Sequence, residues 1–292
     1  MRIAALGFAC LLAFGAFLQG GAALAQDRAG WPTALAFGVI PNEGSVDLTQ
    51  RFQPLFTHLE QSLKLTVKPL IGADFAAVVI AMSSKKIDLA YFGPAAYIQA
   101  AERANAEAFA KIDTLKGGTG YNALIIAKAG GPIKSLEDAR GQDFAFVDPN
   151  STSGYLVPLS YFLQERKVKP EDYFKRLVFA GSHEAAMLAV ANGRIPAAAT
   201  SNLDLDRAIE KGVFKGRDEF TVLWQSPLIP GSPLAYRKDL PLSLRTPLRG
   251  AVLAFKDPKG LETLQIKGFV AAQDQEYDPI RRLELLKKQL GK

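Results

Sequence analysis

The chain has 292 residues, 48% of them hydrophobic and 22% charged, and carries a formal net charge of +6 at pH 7. That balance excludes a disordered chain and describes a globular protein with enough length for one large domain or two ordinary ones. The positive charge comes without a long lysine–arginine run and the aromatics are scattered, which argues against nucleic-acid binding and for small anionic ligands.

Taken in chain order, the first 25 residues stand apart. Arg2 is their only charge, an apolar run occupies residues 3–18, and Ala23-Leu24-Ala25 supplies a small-x-small cleavage site. This is the pattern of a secretory signal peptide cut after Ala25, and the run is short for a membrane span. Export follows, and N-terminal sequencing of the exported protein is expected to begin at Gln26 or within a couple of residues of it. A chain beginning at Met1 in that fraction would contradict this. The single cysteine, Cys10, lies inside the apolar run and not after it, so no lipid anchor is expected. The mature chain then has no disulfide and no thiolate metal site, and its net charge is about +5.

Beyond residue 26, short apolar strands alternate with amphipathic helices. Strands are predicted over 34–40, 65–70 and 87–92. Helices are predicted over 48–63, with Phe52, Leu55, Phe56 and Leu59 on one face, over 75–83, and over 95–108 with Pro94 in the first turn. Such a βαβ series implies parallel strands covered by helices. Lys116-Gly117-Gly118-Thr119-Gly120 interrupts it, and an apolar run at 123–127 opens a second series. There the strands fall at 144–147, 177–180 and 196–200, and the helices at 155–167, 184–192 and 205–211. A proline-rich stretch at 226–233 precedes terminal helices near 245–255, 261–272 and 280–289.

The pattern gives two α/β lobes. Residues 26–118 begin lobe 1, residues 119–225 form lobe 2, and residues 226–292 form the return crossover and the C-terminal part of lobe 1. In such folds a ligand sits in the crevice outside the carboxyl ends of the strands. Four strand-end loops carry the candidate side chains: Phe92-Gly93-Pro94, Asn150-Ser151-Thr152-Ser153-Gly154, Gly181-Ser182-His183-Glu184, and Ser201-Asn202 with Asp204.

The three consecutive hydroxyls at 151–153 admit three readings. A nucleophilic serine needs a base, and His183 is in the same lobe, but the Gly-x-Ser-x-Gly elbow is absent. A helix cap needs one hydroxyl, and this loop has three. Three hydroxyls and free amides at the positive end of a helix make a site for a tetrahedral oxyanion, which is the reading favoured here. Ser182-His183 and Gly93-Pro94 open further helices toward the same crevice. His58 is read as an ordinary helix residue.

DPNSTSGYLVP at 148–158, LAYFGP at 89–94, AGSHEAAMLAVANG at 180–193 and SPLIPGSPLAYRKDL at 226–240 resemble the phosphonate- and phosphite-binding proteins of ABC importers. The resemblance runs from about residue 35 to about residue 249. It implies a type II periplasmic binding fold whose lobes close on a phosphorus oxyanion without catalysis, with no cofactor or metal. It implies a permease in the inner membrane as partner, and a monomer. Carried over by position, Ser151, Thr152 and Ser153 would hold the phosphorus oxygens, and His183 would add a donor. Relatives often place tyrosines where Phe75 and Phe92 stand here, which leaves lobe 1 the amides after Gly93 and apolar walls.

Relatives that take aminoalkyl phosphonates place acids around the amine, and one such position is Ser232 in this chain. The second falls in the loop at 201–204, where Asp204 or Leu203 is the equivalent. A ligand without an amine, phosphite or a short alkyl phosphonate, is therefore expected, because an unpaired buried ammonium is costly. Asp204 would accept a proton from a P–OH group or serve as a helix-start carboxylate; Asn202 is the other polar side chain of that loop that could face the ligand. Two other functions remain open: a sensory module for a membrane receptor, and a serine hydrolase.

Overall fold

The structure is a computed structural model that describes residues 28–116 and 118–290. The expected signal peptide with Cys10 and the cleavage site before Gln26 lie outside the described residues.

The first series forms β1 (Ala34–Val39), α1 (Ser45–Leu63), β2 (Thr66–Ile71), α2 (Phe75–Ser83), β3 (Leu89–Tyr91), α3 (Pro94–Ala104) and β4 (Ala106–Thr114). The face of α1 read from the sequence is the buried one: Leu48, Phe52, Leu55, Phe56 and Leu59 are buried. Phe37 of β1 meets the Phe56 ring edge-on with centroids 5.1 Å apart. Each such ring taken from water contributes about 1.5–3 kcal/mol. The chain then crosses through β5 (Gly120–Tyr121) into β6 (Ala123–Lys128), β7 (Asp143–Phe146), α4 (Val157–Gln164), α5 (Pro170–Tyr173) and β8 (Arg176–Phe179). The second unit continues through α6 (His183–Ala191), β9 (Ala197–Ser201), α7 (Asn202–Glu210) and β10 (Phe220–Gln225). It returns through β11 (Ile229–Pro230) to β12 (Pro233–Arg237), α8 (Leu242–Leu253), α9 (Pro258–Leu264), β13 (Ile266–Ala271) and α10 (Asp278–Leu290).

The strands form a six-stranded sheet in the order β13-β4-β12-β3-β1-β2 and a five-stranded sheet in the order β10-β6-β9-β7-β8. The two crossings pair with each other antiparallel as β5 and β11. In each sheet the βαβ strands are parallel, as the alternation predicts: β2, β1 and β3 in one, β8, β7 and β9 in the other. Antiparallel strands extend both: β12, β4 and β13 in the first, β6 and β10 in the second. This is the two-lobe α/β architecture of the type II periplasmic binding proteins.

Three sequence expectations are corrected here. The helix predicted over 95–108 ends at Ala104, because Asn105 takes a left-handed cap (φ 49°), and the next nine residues become β4. The helix predicted over 261–272 is split the same way: Gln265 caps α9 at φ 57°, and β13 follows. Part of the proline-rich return is strand, with Pro233 as the first residue of β12, a position where a missing N–H is tolerated. Arg237 at the end of β12 is fixed by a buried ion pair. Its Nη2 lies 2.8 Å from Asp88 Oδ1, while the Ala36 N–H donates to Asp88 Oδ2 at 2.9 Å. The last helix, α10, packs on α3 and also on α4, so the C-terminal segment touches both lobes.

Candidate ligand-binding site

The cleft holds a cavity lined by Ile40, Asn42, Phe75, Tyr91, Gly93, Tyr121, Ser151, Thr152, Ser153, His183, Ser201, Leu203, Asp204 and Ser232, with a free volume of about 20 Å³. That is room for about one water molecule, so the site admits only a compact group as the lobes stand. Larger grooves exist elsewhere on the surface, one of about 460 Å³ behind the crossings, and that one does not gather these loops.

Much of the polar wall comes from helix starts. A π-helical turn over Thr152–Leu156 leads into α4, and Ser151 caps it, its Oγ accepting from the Gly154 N–H at 3.1 Å. Capping thus takes one of the three hydroxyls. Glycine is required at 154, since a Cβ there would lie 2.3 Å from the Val147 side chain. Thr152 Oγ1 instead reaches across the cleft and accepts from the Ala95 N–H, in the first turn of α3, at 2.8 Å. The Tyr121 phenol oxygen lies within hydrogen-bonding reach of Thr152 and Ser153. Burial pushes its pKa up, so it stays a neutral hydroxyl. Ser182 caps α6 through Ala185, Ser201 caps α7 through Asp204, and Asp74 caps α2 through Ala77. Positive helix ends from both lobes therefore converge on the cavity.

His183 is buried, with Nε2 3.4 Å from Ser151 Oγ and Nδ1 3.2 Å from Thr200 Oγ1. Burial pushes the imidazole pKa down despite the Asp204 charge, so the ring is neutral and has one N–H to donate. Asp204 is 9% exposed. Burial pushes its carboxyl up, but His183, the Arg207 guanidinium and the Ser201 hydroxyl outweigh that and hold it below the usual carboxylate range. Arg207 Nη1 donates to Oδ1 at 2.9 Å and Ser201 Oγ donates to Oδ2 at 2.5 Å. Asn42 of lobe 1 donates to Oδ1 at 3.4 Å. Outside the cavity, Lys211 at the end of α7 closes the lobes further, with Nζ 2.8 Å from Glu43 and 2.6 Å from Asp47.

Of the residues singled out in the sequence, Phe75, Gly93, Ser151, Thr152, Ser153, His183, Asp204 and Ser232 line this one cavity. Phe92 does not. It is fully buried beyond the end of β3, and neighbours along an extended chain face opposite ways, so Tyr91 is the residue on the cavity wall. Asn202 is also away from the cavity and its Oδ1 accepts from the Asn122 N–H at 2.7 Å. Sequence reasoning missed Tyr91, Tyr121 and Asn42. Tyr91 brings a phenol to the lobe 1 wall, where only amides and apolar walls were expected, and Tyr121 brings another from the crossing. Asn42 follows the first predicted strand, and the rule that directs attention to strand-end loops would have found it.

The family described as the periplasmic substrate-binding protein of phosphonate ABC transporters matches residues 37–277. The chain belongs to that family. It is 33% identical over 297 residues to the phosphonates-binding periplasmic protein of Escherichia coli, covering 99% of this chain and 86% of that one. Among solved structures, a binding protein component of a phosphonate ABC transporter from Pseudomonas aeruginosa superposes with a TM-score of 0.82 at 36% identity, over 87% of this chain and 86% of that one. A Prochlorococcus marinus protein in complex with methylphosphonate shares the fold, with a TM-score of 0.78 at 23% identity over 88% of this chain and 99% of that one. This protein is thus the substrate-binding component of an ABC transporter, in a family whose members bind in the periplasm.

Proposed function

We propose that the protein captures a small phosphorus oxyanion, phosphite or a short alkyl phosphonate in preference to others, and hands it to a membrane permease without chemical turnover. The observation that carries this reading is the convergence of helix starts from both lobes, with Thr152 of one lobe and the Ala95 amide of the other meeting at 2.8 Å in a cavity of about 20 Å³. Ser151, Thr152, Ser153, His183 and Tyr121 are the donors. Ile40, Phe75 and Leu203 supply apolar walls, and Ser232 closes the return side. Excluding water strengthens each charge-assisted hydrogen bond to the anion. The relative solved with methylphosphonate supports the ligand class. In this reading the mature chain begins at Gln26 and works as a monomer. Residues 26–118 and 226–292 form lobe 1, and residues 119–225 form lobe 2.

Thr152→Ala tests the role of the hydroxyl loop. Loss of a hydrogen bond to a charged ligand should weaken methylphosphonate binding by about 1.5–3 kcal/mol in calorimetry, while Ser151 still caps the helix. Unchanged affinity would mean that the hydroxyls serve only the fold.

Ser151, His183 and Asp204 also lie in a line, as a hydrolase would arrange them. The spacing argues against that use. The serine is committed to Gly154, its oxygen is 3.4 Å from the ring, and the imidazole is 3.6 Å from Asp204 and nearer Thr200. No turnover of nitrophenyl esters is expected, and turnover abolished by Ser151→Ala would support the enzyme.

A further inference from the structure

We propose that Asn42 makes the site select an oxyanion that still carries a P–OH proton, an inference that rests on the oxyanion reading above. The cavity wall is mostly donors, which suit bare oxygens. The exceptions are the Asp204 carboxylate and the amide of Asn42. Asn42 lines the cavity, is 8% exposed, and its Oδ1 accepts no hydrogen bond from any protein group among the described residues. Buried acceptors are rarely left unpaired.

The amide cannot relieve this by turning over. Its Nδ2 donates to Asp204 Oδ1 at 3.4 Å. The reversed amide would set an oxygen against that carboxylate, two acceptors facing each other with no proton between them. Asp204 therefore fixes which edge of Asn42 is left over, and that edge is an acceptor. The backbone holds it there, with the Asn42 N–H on the Ile40 carbonyl at 3.0 Å.

Asp204 itself is poorly placed to receive a ligand proton. Arg207, Ser201 and Asn42 already donate to it. The neighbouring Asn42 amide oxygen has no donor among the described residues, and a singly protonated phosphonate or phosphite supplies the one it lacks. A ligand oxygen without a proton would meet that acceptor oxygen to oxygen. Asn42 is thus a specificity-determining residue, and Asp204 a positioning residue that acts through it.

The charged and titratable groups that face Asn42 are accounted for. Asp204 pairs with Arg207, and Glu43 pairs with Arg51 and Lys211. Glu184 approaches through its backbone N–H, which donates to the Asn42 carbonyl at 3.5 Å. His183, Tyr91 and Tyr121 complete the wall. Burial lowers the His183 pKa and raises that of Tyr121, which moves both away from the neutral range.

The test measures the affinity of the wild-type full chain for methylphosphonate and for phosphite across neutral and mildly alkaline pH. Affinity should fall about tenfold per pH unit once the ligand loses its second proton. The midpoint should differ between the two ligands, because each loses that proton at its own pH. Asn42→Leu should weaken binding about ten- to a hundredfold at the acidic end and flatten the profile. A flat wild-type profile, or one midpoint shared by both ligands, overturns the inference while leaving the oxyanion reading intact. A profile unchanged in Asn42→Leu also overturns it. Failure of wild-type protein to bind either anion overturns the oxyanion reading itself, and this inference with it.

Discussion

Methylphosphonate is expected to bind the wild-type protein at least about a hundredfold more tightly than aminoethylphosphonate. The amine carries a positive charge that needs a buried counter-charge, and burying it without one costs several kcal/mol. Ser232, on the cavity wall, offers a hydroxyl with no charge. Asp204 is ionised, but the Arg207 guanidinium at 2.9 Å already neutralises it, and the Ser201 hydroxyl occupies its other oxygen. The amide of Asn42 can accept a hydrogen bond but brings no charge. Ser232→Asp should narrow the gap by restoring a carboxylate. Equal affinities for the two ligands in wild-type protein would contradict this and would mean that Asp204 exchanges Arg207 for the ligand amine.

Arg207→Met should damage both stability and binding. Arg207 is buried, and its partner Asp204 is 9% exposed. Removing one member of a buried pair leaves the other charged and desolvated, at a cost of about 3–5 kcal/mol. For a chain of this size that is a fall in Tm on the order of 6–20 °C. The effect on the ligand follows from the same charge. A carboxylate on the wall of an anion site is tolerable only while it is neutralised. Left bare, it repels the bound anion by a few kcal/mol, which is a loss of about a hundredfold or more. Adding Asp204→Asn to Arg207→Met removes the bare charge and should recover most of the stability. A single variant with unchanged Tm and affinity would show that the pair contributes to neither.

The residues explain why the parallel strands were readable and the antiparallel strands β4 and β13 were not. α1 shows a clean helical stripe and is flanked by short apolar runs that begin and end at turn residues. β4 is buried on both faces over most of its length, so alternation is absent, and its alanines read as a continuation of α3. β13 follows α9 after a single left-handed residue, Gln265, which is not glycine and leaves no punctuation. The site loops were legible because helix caps have a chemistry of their own: Ser151, Ser182 and Ser201 each precede a helix and each bonds the N–H three residues on. Register was harder. Tyr91 and Phe92 differ by one position, and a one-residue slip exchanges the two faces of an extended segment. Asn42 stands in a strand-end loop and was within reach of the same rule; what the sequence does not show is its partner 162 residues away.

Calorimetric titration of the purified mature protein with phosphite, methylphosphonate, phosphate and sulfate shows whether the cleft binds a phosphorus oxyanion. Saturable binding of one anion per chain is expected, with phosphite or methylphosphonate tightest and sulfate weakest, and with affinity lower by about 1.5–3 kcal/mol in Thr152→Ala. No saturable binding of any phosphorus anion, or sulfate bound as tightly as phosphite, would contradict this.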